Sequence, residues 1–148
     1  MTFADIKAAF ISVMKTKYPT YKYYSNSVVE KFKRPSFFTE LTLDRSEPAS
    51  SDVHHFLGTF SIEILQDVVN EAEALSIFST LQGAFGTSVM VGTRAVKITG
   101  YDFEFAGTDD NIPVITIMLE WFDRGLLPSE TADMMTDVDV SLKVEVEE

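Results

Sequence analysis

His54 and His55 are the two histidines of this 148-residue chain, and there is no cysteine. Imidazole is the commonest protein ligand for transition metals. Neighbouring residues on a strand point to opposite faces, so the pair converges on one metal only through a distorted backbone. No other histidine or cysteine completes a ligand set, and both read as surface or loop-edge residues. Asp109-Asp110-Asn111 has the composition of a calcium loop but lacks its alternating ligands and closing bidentate glutamate. Turn chemistry accounts for it, since Asp and Asn bond their own main chain. Gly83, Gly86, Gly92 and Gly100 are isolated, without a phosphate-cradling signature. The serines have no base partner in a recognisable motif. Glu63 and Asp67 form a carboxylate pair that nothing places in a cleft. The sequence therefore predicts no catalysis, no metal and no cofactor.

The remaining chemistry is charge. Lys31, Lys33 and Arg34 flank Phe32, a grouping able to touch phosphates and stack on bases. The chain around it carries a net charge of −11. Residues 1–34 have a net charge of +5 and residues 35–148 one of −16. From Leu126 onward seven acids oppose Lys143 alone, leaving −6. Such a polarised chain repels nucleic acid over most of its surface and suits an oppositely charged face of another protein. The basic cluster thus reads as either a solvated corner or a protein interface.

The length fits one domain, and 45% apolar residues supply a core. No apolar run approaches the roughly 20 residues of a membrane span, and Asp5 and Lys7 interrupt the start where a secretion signal needs an apolar stretch. Missing cysteines exclude a disulfide framework and fit intracellular assembly.

Periodicity supplies the elements that position these groups. Phe3, Ile6, Phe10, Val13 and Met14 make a helical stripe behind a Thr2/Asp5 capping pair, and Pro19 ends it. Tyr21–Tyr24 reads as a short strand, Ser25–Ser27 as a turn, and Pro35 opens a second strand through Leu43. Asp44–Asp52 reads as a loop. Val53–Val68 alternates as a half-buried strand, with Phe56, Phe60, Ile62 and Ile64 on one face and Gly58 marking a bulge or a close approach. A second helix starts at Asn70 with Glu73, carries Ala74, Ile77, Phe78, Leu81 and Phe85, and leaves through Gly83 and Gly86. Val89–Thr99, Tyr101–Phe105 and Ile112–Asp123 follow as strands, the last apolar on both faces and hence central. Trp121 and Phe122 read as core. The order α-β-β-β-α-β-β-β gives an α+β class, two helices on a mostly antiparallel sheet.

We divide the chain into a domain at 1–125 and an acidic extension at 126–148. In the extension Val138, Val140, Leu142, Val144 and Val146 alternate with Asp139, Ser141, Lys143, Glu145 and Glu147, a strand pattern. It either pairs with an edge of its own sheet or adds to a neighbour's.

The block Tyr21-Lys22-Tyr23-Tyr24 with Val28-Val29-Glu30-Lys31-Phe32-Lys33-Arg34-Pro35-Ser36-Phe37-Phe38 resembles the tail terminator proteins of long-tailed phages and prophages of Gram-positive bacteria, contractile-tail elements included. Phe60-Ser61-Ile62-Glu63-Ile64 and Trp121-Phe122-Asp123-Arg124 stand where the later strands of that family would be. The resemblance covers residues 1–125 in element order and is most specific at Tyr24–Phe38. It implies a non-enzymatic virion protein that closes into a homohexameric ring at the head-proximal end of the tail tube. The ring stops tube growth and offers a surface to the head–tail connector and, in contractile tails, to the last sheath ring. The implied partners are its own copies, the tube protein, and in those settings sheath and connector, with assembly in the bacterial cytoplasm and DNA only in transit through the lumen. On this reading the subunit interface is expected at Lys31, Lys33 and Arg34 and at Val138, Val140, Leu142 and Val144. A second reading is a non-enzymatic α+β module that binds a small molecule or peptide.

Overall fold

The computed structural model describes residues 1–25, 33–107 and 111–124. In chain order the elements are α1 (Phe3–Lys17), β1 (Lys22–Tyr24), β2 (Ser36–Pro48), β3 (Val53–Leu65), α2 (Glu71–Phe85), β4 (Ser88–Val91), β5 (Arg94–Ala106) and β6 (Ile112–Arg124). The strands form one six-stranded sheet in the order β1-β2-β3-β6-β5-β4, antiparallel except for the β1–β2 edge. This is the α+β architecture that the periodicity predicts.

Local chemistry starts both helices. Thr2 N–H donates to Asp5 Oδ2 at 2.8 Å and Asp5 N–H to Thr2 Oγ1 at 3.1 Å, a closed capping box. The backbone and then the hydroxyl of Thr2 hold the Asp5 carboxyl below the usual aspartate range. Asn70 caps α2 by accepting from Glu73 N–H at 3.2 Å. At the other end Gly86 takes φ +64°, and its N–H closes on the Gln82 carbonyl at 2.9 Å.

Both helices pack on one face of the sheet. Ile6, Phe10 and Met14 of α1 meet Ala74, Ile77, Leu81 and Phe85 of α2 over Phe37, Phe60, Ile62, Ile115, Ile117 and Leu119, all buried. Phe10 is central: its ring lies 5.0 Å from Phe60 and 5.2 Å from Phe85, so one side chain joins α1, the sheet and α2. Burial of one such ring stabilises by about 1.5–3 kcal/mol.

Three boundaries differ from the sequence expectation. Asp44–Pro48 continues β2 to its pairing of Pro48 with His54, with a register shift between Leu43 and Arg45. Edge residues solvated on both sides leave no alternation to read, which is why the charges there read as a loop. The strand expected over Val53–Val68 stops at Leu65. The expected break between Thr99 and Tyr101 lies instead at Gly92, where φ is +63° and a turn separates β4 from β5. The chain passes Gly100 without a break, its register shift lying between Ile98 and Gly100.

Gly58 satisfies both readings given for it. It faces the shift in β2, pairing with Leu43. A Cβ there would also sit 3.1 Å from the Trp121 ring and 3.1 Å from the Thr42 carbonyl oxygen. Trp121 is buried as expected, but Phe122 is 51% exposed, because successive residues of β6 face opposite sides of the sheet.

Candidate assembly interface

Of the expected interface residues, Lys33 and Arg34 lie among the described residues and are exposed. Lys31, Val138, Val140, Leu142 and Val144 lie outside them. Lys33 N–H donates to the Tyr24 hydroxyl at 3.0 Å, setting the approach into β2. The Arg34 side chain is fastened to the scaffold, with Nη1 donating to the Gln66 carbonyl at 3.0 Å. Gln66 is itself buried and bridges to Asn70, its Nε2 donating to the Asn70 carbonyl at 2.9 Å and its Oε1 accepting from Asn70 N–H at 3.2 Å. The basic corner is therefore tied through Gln66 to the N-cap of α2.

This corner is not purely basic. Val68 and Val69, on the same β3–α2 connection as Gln66, are 76% and 56% exposed. Glu73 of α2 accepts from the Tyr21 hydroxyl at 3.4 Å. An apolar patch edged by both signs of charge has the make-up of a protein contact surface. The aromatic residues Tyr21 and Phe37 serve the core: Phe37 is fully buried and Tyr21 stacks on it at 4.7 Å. Burial pushes the Tyr23 phenol up to about 12, and its hydroxyl donates to the Tyr18 carbonyl at 2.9 Å.

The face of the sheet opposite the helices carries a group that sequence reading did not find. His55 Nε2 lies 2.7 Å from Glu120 Oε1, with Lys97 Nζ 3.6 Å from the second carboxylate oxygen and the Phe122 ring stacked on the imidazole at 4.5 Å. His54 points to the other face, 6.0 Å from the Phe56 ring. The two histidines thus diverge, as strand geometry requires. No local signal links His55 to Glu120, because the contact spans two strands far apart in sequence.

Beneath the start of α1 lies a cavity of about 380 Å³, lined by Phe3, Leu43, Phe56, Trp121 and His54 among others. Asp123 at its rim is buried, accepts from Arg94 and from Arg124 N–H, and lies 3.4 Å from the Met1 nitrogen. Among the described residues no group of three or more His, Asp or Glu side chains is placed to hold a metal ion, and no helix is long and apolar enough to cross a membrane.

The fold and these surfaces define a class first: an α+β protein whose noteworthy chemistry lies on strand edges, a charged corner and exposed apolar residues. The family described as "Phage tail terminator protein" matches residues 5–131, and the chain belongs to that family. It is accordingly a structural component of a phage-type tail, of a non-catalytic kind. Among solved structures, the chain is similar to one from the "Virion of native gene transfer agent (GTA) particle", with 12% identity, TM-score 0.50, and 84% of this chain and all of that one covered. Another solved chain is 16% identical at TM-score 0.48, over 86% of this chain and 99% of its own length. No curated protein sequence matches.

Proposed function

We propose that the protein ends the tail tube: six copies close into a ring at the head-proximal end, stop elongation, and present a docking surface to the connector and, in a contractile tail, to the last sheath ring. Family membership carries this reading. The fold shared with a chain from a virion particle agrees with it.

The protomer supplies unlike surfaces for a head-to-tail contact, which closes into a ring when the rotation per subunit allows. One surface is the corner at Lys33 and Arg34, near Lys31 in sequence and bonded to the connection that carries exposed Val68 and Val69. A second contact element is the acidic extension at 126–148, in which Val138, Val140, Leu142 and Val144 alternate as a strand pattern. The acidic balance of the chain keeps DNA in transit from adhering to the lumen.

Mixing the protein with polymerising tube protein tests the proposal. Capped tubes of limited length support it, and unchanged lengths overturn it. Native mass measurement gives the copy number, and charge reversal at Lys33 and Arg34 should weaken the ring most at low salt.

The cavity under α1 favours a second reading, a module that takes an apolar ligand against Phe3, Phe56 and Trp121. Ligand-dependent Trp121 fluorescence from a protein that stays monomeric and leaves tubes unchanged would favour this reading over the ring.

A further inference from the structure

β5 pairs with β4 only from Arg94 to Lys97, and Ile98 N–H then closes on the Thr87 carbonyl at 2.8 Å. Beyond that point, among the described residues, no strand lies against the edge of β5 that faces away from β6. Among the described residues this edge is unpaired over 99–106. An unpaired strand edge is a template for a further strand. The devices that usually blunt one are sparse here: there is no proline in the stretch, and its charges are Asp102 and Glu104. On the helix side the lane is lined by Tyr101, Phe103 and Phe105, all half-buried. Phe103 packs 5.3 Å from Phe78 of α2 and 5.3 Å from Phe105.

Resting on the ring reading, we propose that this lane is filled by residues 138–146 of a neighbouring copy, and that the repetition of this exchange round the ring is a subunit contact. The chemistry of the two strands matches. Val138, Val140, Leu142, Val144 and Val146 extend the apolar side beyond Phe103 and Phe105. The opposite side of the incoming strand places Lys143 among acids. Directly opposed opposite charges stabilise a strand pair, and opposed like charges destabilise it. The favoured register therefore sets Lys143 across from Asp102 or Glu104.

Topology selects a neighbour over the chain's own tail. The chain leaves β6 at Arg124, at the end of the sheet where Arg94 opens β5 and bonds Asp123. The open lane lies towards the other end, where Ala106 pairs with Ile112. To fill its own lane the tail would have to pass the β4–β5 turn and run the length of β4, and such crossing connections on one sheet edge are avoided. A neighbour's tail enters from the open end. Residues 125–137 span up to about 45 Å when extended.

The absence of cysteine makes the test direct. Asp102→Cys is prepared in one sample and Ser141→Cys, Lys143→Cys or Glu145→Cys in another, and the two are mixed, assembled and mildly oxidised. Residues opposed on paired strands meet the Cα spacing of a disulfide. A cross-link between the two different variants is expected at one of the three positions, moving by two residues when Glu104→Cys replaces Asp102→Cys. Thr42→Cys on β2 should give none. In a pair that leaves position 143 free, Lys143→Glu should lower the cross-link yield by about threefold. A ring of native mass with no cross-link between variants overturns the lane assignment and leaves the ring reading standing. So does a disulfide that forms only within one chain of a doubly substituted protein. Neither ring nor cross-link overturns both.

Discussion

The His55 imidazole and the Glu120 carboxylate meet 2.7 Å apart across the β3–β6 ladder, on the face of the sheet that carries neither helix. That hydrogen bond, followed by the charge of Lys97, holds Glu120 below the usual glutamate range. A carboxyl depressed in the folded state stabilises fully above its unfolded value, about 4.3, and loses that contribution as pH falls through the lowered one. Glu120→Gln should therefore lower the melting temperature at pH 6–7, with the difference from the parent protein shrinking below pH 4. A difference that stays constant from pH 3 to pH 7 would exclude the ion pair as its source.

Gly58 leaves no room for a side chain. Gly58→Ala puts a methyl group 3.1 Å from both the Trp121 ring and the Thr42 carbonyl oxygen. Overpacking of this kind costs about 1–3 kcal/mol. Denaturant unfolding gives the loss. Because Trp121 is the sole tryptophan, its fluorescence should shift in the folded state as well.

Phe10 joins both helices to the sheet. Phe10→Ala should cost about 3–5 kcal/mol, a large share of the roughly 5–15 kcal/mol that holds a domain folded. Urea titration followed by circular dichroism would show a midpoint far below that of the parent protein.

Lys33 and Arg34 should separate in their effects. Arg34→Ala removes the bond to the Gln66 carbonyl and should cost about 1 kcal/mol of stability. Lys33→Glu alters an exposed side chain and should change stability by less than about 0.5 kcal/mol. If the corner is a subunit contact, Lys33→Glu nevertheless lowers the assembled fraction in native mass spectra, and the loss fades as salt is raised. Equal effects of the two substitutions on folding and assembly would assign the corner to stability alone.

Signals that are local in the chain were legible in the sequence. Thr2 with Asp5 and Asn70 with Glu73 announced both helix starts, because capping needs residues only three apart. Alternation at Phe56, Phe60, Ile62 and Ile64 announced a half-buried strand, because one face meets the helices. Asp44–Pro48 was not legible as a strand, since an edge exposed on both sides carries no alternation. Gly92 and Gly100 look alike in sequence, and only the backbone shows that the first turns the chain. The surface chemistry was the least legible. Arg34 with Gln66 and His55 with Glu120 join residues 32 and 65 positions apart, so the sheet order had to be known first.

If the lane is filled as proposed, the edge of β5 over residues 99–106, unpaired among the described residues, is until then a template for any extended chain, surplus copies of the protein included. Asp102 and Glu104 hold such copies apart only over the range of their charge, which shortens as salt rises. Overproduced without whatever fills that lane, the protein should precipitate more readily in high salt than in low. On the ring reading, the amount a cell could safely accumulate would then be set by how fast new copies find their place in an assembly.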